Sequence, residues 1–272
     1  MSEKEGILFE KRDNLVKYIL SLGNIAVAFS GGVDSSFLLK VSHDVLGDRA
    51  IAINVDSELV SESERKAAEQ FCMDYGIPFY RLTIDALSVD EIRKNSVDRC
   101  YFCKRAVFKQ ILKKAAACGI TNVADGSNVD DKNDYRPGMR ALSELKVISP
   151  LRECGLKKNE IRMLAKQMNL PVWNLPSAAC LASRVMYGEE LTVKKLVHID
   201  KAEAFLKSLG FTQCRVRVHE NLARIEIATE QMETAFLERE KIIVELKRLG
   251  FTYITLDLQG YRTGSMNEIM ES

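Results

Sequence analysis

The chain has 272 residues, and its 39 Lys and Arg residues against 38 Asp and Glu residues give a net charge of +1. This balance gives no sign of the basic surface with which proteins bind a nucleic-acid backbone, and no apolar run approaches the roughly 20 residues that a membrane span needs. The opening segment MSEKEGILFEKRDNL is charged where a secretory signal would be apolar. We therefore expect a soluble cytoplasmic protein without nucleic-acid or membrane partners.

In the first half of the chain, short apolar runs typical of buried strands alternate with helical periods that end near glycine. The strands are predicted at 25–29, 51–55, 79–84, 122–124 and 147–149, and the helices at 8–22, 35–42, 61–76 and 105–117. Strands separated by helices and short turns are typical of a parallel sheet with helices on both faces. The predicted fold class is therefore α/β.

The pattern changes within PVWNLPSAACLASRVMYG, which contains many small residues and no clean period. We place a functional loop and linker at 176–190, between a catalytic domain at 1–175 and a small α+β domain at 191–272. The elements of the second domain are predicted as helices at 192–209 and 232–249 and strands at 214–218, 223–228 and 253–258. KSLGFT and KRLGFT each predict a helix that ends at glycine and is fixed by a phenylalanine contact. The exposed faces of this domain could form the interface of a homo-oligomer.

A loop of small residues follows the first predicted strand and opens a predicted helix: Ser30, Gly31, Gly32, Val33, Asp34, Ser35 and Ser36. Glycines let the backbone turn tightly and approach an anion, and the N–H groups at a helix start attract it. The three serine hydroxyls can add donors. A turn that only links strand to helix is the alternative. The Gly-Lys-Ser/Thr ending of a Walker loop is absent, so a site of that type is excluded.

The seven cysteines are an odd number in a chain that we expect to lack a leader, which favours thiols or metal ligands over a disulfide framework. Cys100 and Cys103 lie just before a predicted helix, and Cys180 lies in the irregular loop. The spacing of the pair fits a zinc half-site, a redox dithiol or ligands of an iron–sulfur cluster, and by itself leaves the three open. Other cysteines fall on or beside predicted helices, where burial is expected: Cys72, Cys118 and Cys154.

The segment SGGVDSS resembles the signature of the PP-loop ATP pyrophosphatases, which cleave ATP between its α and β phosphates and transfer AMP to an oxygen of the substrate. Further segments, in chain order, resemble the LarE-type ATP-dependent sulfur transferases over nearly the whole chain: RCYFCK, SNVDDKNDYRPGMRAL, PSAACLASR and VRVHENLARIEI. The resemblance implies use of ATP and Mg²⁺ to activate the carboxylates of a small nucleotide, pyridinium-3,5-biscarboxylic acid mononucleotide. Their conversion to thiocarboxylates provides a precursor of the nickel-pincer nucleotide cofactor.

The resemblance also implies two possible sources of sulfur. In one branch of the family, the cysteine matching Cys180 is itself the donor and ends as dehydroalanine. In another branch, two further cysteines, matching Cys100 and Cys103, hold a [4Fe-4S] cluster together with the third. Three cysteine ligands leave one iron open to carry an extra sulfide, which a sulfide donor can replace. We expect the cluster branch, because the sacrificial route would leave Cys100 and Cys103 without a role.

Several arginines and one glutamate are candidates for binding the substrate. Arg215 and Arg217 alternate on one face of a predicted strand, where the family has an anion site; two solvent-facing arginines on an edge strand are the alternative. Arg184, four residues after Cys180, could guide an anionic substrate. Glu203 matches a family position near a metal site, although a glutamate on a helix is most often exposed to solvent.

A polar stretch after the fourth predicted strand is a candidate for contact with adenosine, because it lies at the edge where parallel sheets bind nucleotides. The stretch consists of Asp125, Gly126, Ser127 and Asn128. Arg136 and Arg140 follow it and could steady phosphate, with surface ion pairs as the alternative.

Two other function classes compete with this interpretation. A tRNA thiolase would share the loop from Ser30 to Ser36, which we call the phosphate loop, and even a three-cysteine cluster. It should have a basic surface, and the balanced charge of this chain argues against it. A non-catalytic adenine-nucleotide-binding module would leave the set Cys100, Cys103 and Cys180 unexplained. It would bind ATP without releasing pyrophosphate.

Overall fold

The computed structural model describes residues 3–133, 137–176, 179–262 and 265. The chain divides into two compact units. The first contains the described residues of Met1–Ser57, Glu64–Ile84 and Cys100–Ala178, and the second contains those of Glu58–Ser63, Asp85–Arg99 and Ala179–Ser272. No helix within the described ranges combines the length and the apolar character needed to cross a membrane.

The first unit is built on a four-stranded sheet in the order β3-β2-β1-β4, with every neighbouring pair parallel. Its strands are β1 (Ile25–Ala28), β2 (Ala50–Asp56), β3 (Phe79–Thr83) and β4 (Val123–Ala124). The helices of the first part of the chain are α1 (Glu3–Leu22), α2 (Val33–Leu46), α3 (Glu62–Asp74), α4 (Asp90–Arg93), α5 (Arg99–Ala117), α6 (Pro137–Glu144), α7 (Pro150–Glu153) and α8 (Lys158–Gln167). The α/β class is confirmed.

The core of this unit lies on both faces of the sheet. Ile25 and Val27 of β1 belong to a buried cluster with residues of α1, α2, α3 and α8. Ala26, Ile51 and Ile53 belong to a second buried cluster with residues of α5 and α6. Because successive side chains of a strand point to opposite faces, strands covered on both faces are apolar along most of their length. That burial explains the continuous apolar runs in the sequence.

The second unit contains a three-stranded mixed sheet in the order β5-β6-β7. Its strands are β5 (Cys214–His219), β6 (Leu222–Ile227) and β7 (Tyr253–Leu256), with β5 and β6 antiparallel and β6 and β7 parallel. The helices of the last part of the chain are α9 (Val193–Ser208), α10 (Met232–Leu237) and α11 (Arg239–Arg248). Leu206 and Ile242 on the helices and Ile225 and Ile227 on β6 line one apolar cavity. The predicted α+β character of this region is therefore confirmed.

The two repeated segments end their helices as predicted. Gly210 and Gly250 have φ values of +94° and +96°, in the left-handed region that glycine tolerates best. The next residue, Phe211 or Phe251, donates its N–H to a carbonyl five residues earlier and is buried.

Some predicted elements differ from the structure. At 147–149 the chain forms only a single-residue bridge between Ile148 and Ala124, because Pro150 starts α7 immediately afterwards. The helix predicted at 232–249 is interrupted at Glu238, between α10 and α11. The helix α8 was not predicted.

Replacing Phe37, a fully buried residue of α2, with alanine should lower the free energy of unfolding of the first unit by about 3–5 kcal/mol, because the change leaves a cavity. The single tryptophan, Trp173, packs against the same core, so its fluorescence in a urea titration follows this unit. Met73, with 70% of its surface exposed, provides the control: Met73→Ala should change the value by less than about 0.5 kcal/mol. Equal effects of the two substitutions would contradict this description of the core.

Candidate active site

The loop between β1 and α2 has the geometry of an anion site. Gly31 has φ +77°, and a Cβ atom there would lie 3.3 Å from the Cβ of Ala68, so glycine satisfies both the backbone angle and the close approach. Gly32 is the N-cap of α2. The first N–H groups of a helix have no partner inside the helix, so those of α2 are available to a negatively charged group in the loop.

The serine side chains of the loop form hydrogen bonds within the loop. Ser35 Oγ donates to the carbonyl of Gly32 at 3.1 Å and lies 3.1 Å from Ser30 Oγ. Ser36 Oγ is buried and has no hydrogen-bond partner among the described residues, and Asp34 Oδ1 shares this condition. Leaving a buried polar atom without a partner costs about 1–3 kcal/mol, so such atoms suit a ligand that completes their hydrogen bonds.

Asp34 lies in the first turn of α2, and its other carboxylate oxygen accepts a hydrogen bond from the ammonium of Lys158. Burial raises the pKa of the Asp34 carboxyl above its usual value, while the Lys158 ammonium acts in the opposite direction. The pair therefore places a positive and a negative charge side by side at the start of the helix.

The polar stretch after β4 lies against this loop. A Cβ atom at Gly126 would come within 3.0 Å of the backbone nitrogen of Ser35. Asp125 is buried and accepts hydrogen bonds from Ser127 and, at 2.7 Å, from Ser149. The chain runs from β1 to β3 on one side of β1 and then returns to β4 on its other side. This reversal creates the crevice in which open α/β sheets bind ligands.

Asn54 lies near the end of β2, is buried and was not predicted from the sequence as a candidate site residue. Its Nδ2 donates to the carbonyl of Phe29 at 2.8 Å, and its Oδ1 has no partner among the described residues. A single amide inside the apolar run AIAINVD was the available signal.

Arg140, proposed above as a phosphate contact, lies on an exposed surface. Its guanidinium carbon is 4.0 Å from the centroid of the Tyr101 ring, and its Nε is 3.7 Å from Glu144. Asn128 is buried, and its Oδ1 accepts a hydrogen bond from the backbone nitrogen of Asp130 at 2.9 Å. Arg136 lies outside the described residues.

Cys100 and Cys103 are the second and fifth residues of α5, which begins at Arg99. The prediction that they precede the helix was wrong. At a spacing of three residues they share one side of the helix; Cys100 is exposed and Cys103 is half-buried. Across the described ranges, no group of three or more His, Cys, Asp or Glu side chains is arranged to hold a metal ion.

Cys180, in the second unit, is exposed and precedes a 3₁₀ turn at Leu181–Arg184. Its carbonyl accepts hydrogen bonds from Ser183 Oγ at 2.8 Å and from Arg184 Nη1 at 3.2 Å. Arg184 Nη1 also donates to the carbonyl of Ala179 at 2.6 Å. The backbone on both sides of Cys180 is therefore held by hydrogen bonds, while the residue itself is exposed.

Arg184 and Glu203 form a buried, two-pronged ion pair, with Nε–Oε1 and Nη2–Oε2 distances of 2.9 and 3.0 Å. Glu203 Oε1 also accepts from the backbone nitrogen of Val216 at 3.1 Å. Only 5% of each side chain is exposed, so Glu203 is not the solvated residue that its helical context suggested. The Glu203 carboxylate compensates the charge of Arg184 and fixes the position of its guanidinium group. That group in turn holds the backbone at 179–184, which we call the Cys180 turn.

Arg215 and Arg217 are buried although β5 is an edge strand. The register places both on one face with Arg224 and Glu226. Arg217 donates to Glu226 through Nε and Nη2 and to the carbonyl of Ser183 through Nη1 at 2.9 Å. Arg215 lies over the ring of Tyr261, with 5.3 Å from the guanidinium carbon to the ring centroid. Arg224, on the same face, pairs with Glu226, and its Nε also lies 3.7 Å from Asp257 Oδ2.

Glu226 is fully buried and was not predicted from the sequence as a candidate site residue. It pairs with Arg217 and Arg224 and accepts a hydrogen bond from Ser265 Oγ at 2.6 Å. The alternation of Arg224 and Glu226 in LARIEI placed both on one face of a strand and could have indicated the pair.

The chain is similar in sequence to several known proteins. No family model matches the chain. The chain is 38% identical to an uncharacterised protein of Synechocystis sp., over 97% of this chain and 99% of that one. It is 37% identical to the pyridinium-3,5-bisthiocarboxylic acid mononucleotide synthase of Lactiplantibacillus plantarum, over 97% of this chain and 96% of the relative. A weaker similarity, 24% identity over 61% of this chain, relates it to 35% of the GMP synthase of Brucella ovis.

The parallel sheet, its glycine and serine loop and the similarity to GMP synthase define a protein of the PP-loop class. Within that class the chain belongs to the LarE-type family. Its named relatives are enzymes.

The cysteines should separate by reactivity. Burial raises the pKa of Cys72 to about 12 and that of Cys214 to about 11, so at pH 8 about a thousandth or less of either thiol is ionised. Brief treatment with iodoacetamide at pH 8, followed by peptide mass spectrometry, should modify the exposed Cys100 and Cys180 first. Unfolded protein, in which every cysteine reacts, is the control. Labelling of Cys72 or Cys214 in the folded protein as fast as that of Cys180 would contradict this arrangement.

Proposed function

We propose that this protein is an ATP-dependent sulfur transferase that converts the carboxylates of pyridinium-3,5-biscarboxylic acid mononucleotide to thiocarboxylates. The observation that carries the proposal is the 37% identity to the named synthase across nearly the whole of both chains. The phosphate loop at the reversal of strand order, and the exposed Cys180, supply the two chemical functions that such a reaction needs.

In the first step, a carboxylate oxygen of the substrate attacks the α phosphorus of ATP, and pyrophosphate leaves with the electron pair of the broken P–O bond. The product is a mixed anhydride of the carboxylate and AMP. In the proposal, the loop Ser30–Ser36 binds the phosphates through its N–H groups and hydroxyls. In the same proposal, Gly126 and Asn128, which follow β4, would contact the adenosine at the reversal of strand order.

Mg²⁺, when bound, would neutralise the phosphate charges. Asp34 Oδ1 fits this ion, because it is a buried carboxylate oxygen without a hydrogen-bond partner among the described residues. Lys158 holds the other oxygen of Asp34 and so fixes the direction of the carboxylate.

In the second step, sulfur attacks the carbonyl carbon of the mixed anhydride. A C–S bond forms, the C–O bond to AMP breaks, and AMP leaves with the electron pair. In the proposal, Arg215 and Arg217 on β5 hold the phosphate or second carboxylate of the substrate, because guanidinium groups bind such anions through paired hydrogen bonds. Repetition on the second carboxylate would complete the product.

For the source of sulfur we propose a [4Fe-4S] cluster held by Cys100, Cys103 and Cys180. Thiolates are the ligands that such clusters use, and these three thiols are exposed or half-buried. When bound, the cluster would supply the sulfide, which an external sulfide donor then replaces. In the alternative route, Cys180 Sγ attacks the anhydride. Loss of the α proton and cleavage of the Cβ–S bond then release the thiocarboxylate and leave dehydroalanine.

The direct test combines product analysis with metal analysis of protein purified without oxygen. With ATP and the dicarboxylate substrate, the wild type should release AMP and pyrophosphate and form thiocarboxylate. It should contain about four irons per chain and at least about four sulfides, as a [4Fe-4S] cluster requires, with one more when the open iron carries the extra sulfide. Cys100→Ala, Cys103→Ala and Cys180→Ala should each lose the iron. Cys118→Ala, which changes a half-buried thiol just beyond α5, should retain it.

Two other results would contradict different parts of the proposal. Protein without iron whose Cys180 becomes lighter by the mass of hydrogen sulfide during turnover would replace the cluster with the sacrificial route. Absence of pyrophosphate release in the presence of ATP and substrate would overturn the sulfur transferase itself.

A further inference from the structure

The segment just before Cys100 carries two buried polar residues, Asn95 and Arg99. Neither was predicted from the sequence to be buried or to have a function. Asn95 is fully buried and has φ +52°, a left-handed conformation that asparagine tolerates better than most residues. Its Nδ2 donates to the carbonyls of Val185 at 3.2 Å and Met186 at 2.7 Å. Its own carbonyl accepts from the backbone nitrogen of Gly188 at 3.0 Å. Asn95 therefore holds the backbone that follows the Cys180 turn.

Arg99 extends this contact toward Cys180. Its side chain is almost fully buried, and Nη1 donates both to Asn95 Oδ1 and, at 3.3 Å, to the carbonyl of Ala182. Its guanidinium carbon is 5.5 Å from the centroid of the Tyr187 ring. Ala182 is two residues beyond Cys180, so this arginine holds the turn on which the thiol is carried.

The carbonyls of this turn are held almost one by one. Those of Ala179 and Cys180 accept from Arg184, that of Ala182 accepts from Arg99, and that of Ser183 accepts from Arg217. Hydrogen bonds from charged groups are about twice as strong as neutral ones. A buried guanidinium also has a fixed fork geometry, so it determines the orientation of the carbonyl that it binds.

We propose that Arg99, oriented by Asn95, is a positioning residue that holds the Cys180 turn in the geometry required for sulfur transfer. The inference rests on the proposed role of Cys180. Arg99 acts only through the backbone and touches no reacting atom. A displacement of about 1 Å at a reacting group can cost about a hundredfold in rate, so a loosened turn should impair the sulfur step and leave adenylation intact.

The test compares Arg99→Met, Arg99→Lys and a control, Arg105→Met, which changes an exposed arginine on α5. The first measurement is amide hydrogen exchange. Arg99→Met should raise exchange in peptides covering 181–191 by about tenfold or more, as expected when a charged hydrogen bond is lost. Peptides covering 33–46, in α2, should be unchanged. Arg99→Lys should have an intermediate effect, because an ammonium keeps the charge and loses the fork.

The second measurement is the amount of thiocarboxylate formed per pyrophosphate released, in the holoenzyme with ATP and substrate. Arg99→Met should lower this ratio at least about tenfold relative to wild type, with Arg99→Lys between them and Arg105→Met unchanged. A residue that only stabilises the fold would lower both products together and leave the ratio constant.

Unchanged exchange at 181–191, or a rise that is equal at 33–46, would overturn the inference, as would a constant ratio. If Arg99→Met does not fold, the same criteria apply to Arg99→Lys. Failure of the proposed function would be recognised separately, because the wild type would then release no pyrophosphate in the presence of the substrate. In that case the exchange measurement alone would decide whether Arg99 holds the turn.

Discussion

The parallel pairing of β1 with β2 on one side and with β4 on the other is the constraint on which the site in the first unit depends. Their register brings Ala28 beside Ile53, and Val27 beside Ala124. The carboxyl ends of the three strands therefore meet at one edge. The phosphate loop, Asn54 and the start of the stretch from Asp125 to Asn128 all lie at that edge. Because both faces of the sheet are covered by helices, the edge is where polar groups can gather.

In the second unit, buried charged side chains hold the backbone around the exposed Cys180. The pairs Arg184–Glu203 and Arg217–Glu226 have side chains that are at most 6% exposed. Removing both partners of such a pair is often harmless, whereas removing one costs about 3–5 kcal/mol. Buried pairs of this kind add little to stability. Here each arginine also donates to a carbonyl of the turn at 179–183, so the pairs specify the conformation of that turn.

The sequence predicts most of the sheet because buried parallel strands appear as continuous apolar runs, as in IAVA and AIAINV. It also predicts the ends of the helices at Gly210 and Gly250, because their cause is local. The start of α5 at Arg99 was not predictable in this way, because RKNSVDRC has no apolar period to mark a helix. That difference moved Cys100 and Cys103 from a loop into a helical turn.

Several site residues could not be found from local pattern because their burial depends on distant partners. Glu203 resembles an ordinary surface glutamate until Arg184, 19 residues earlier, is brought to it. Arg99 reaches a carbonyl 83 residues away, and Glu226 is buried by arginines of two strands. The phosphate loop was recognisable because its function requires a local arrangement of glycines and serines. The network that holds the Cys180 turn has no local arrangement of this kind.

The most direct test of the central claim is to follow oxygen from the substrate. The dicarboxylate substrate is labelled with ¹⁸O in its carboxylates and incubated with ATP and the enzyme, and the AMP is analysed by mass spectrometry. Adenylation predicts that one ¹⁸O atom enters AMP for each thiocarboxylate formed, because the attacking carboxylate oxygen stays on the α phosphorus. Unlabelled AMP, with the label in another product, would show that the carboxylate never bonded to that phosphorus and would contradict the account.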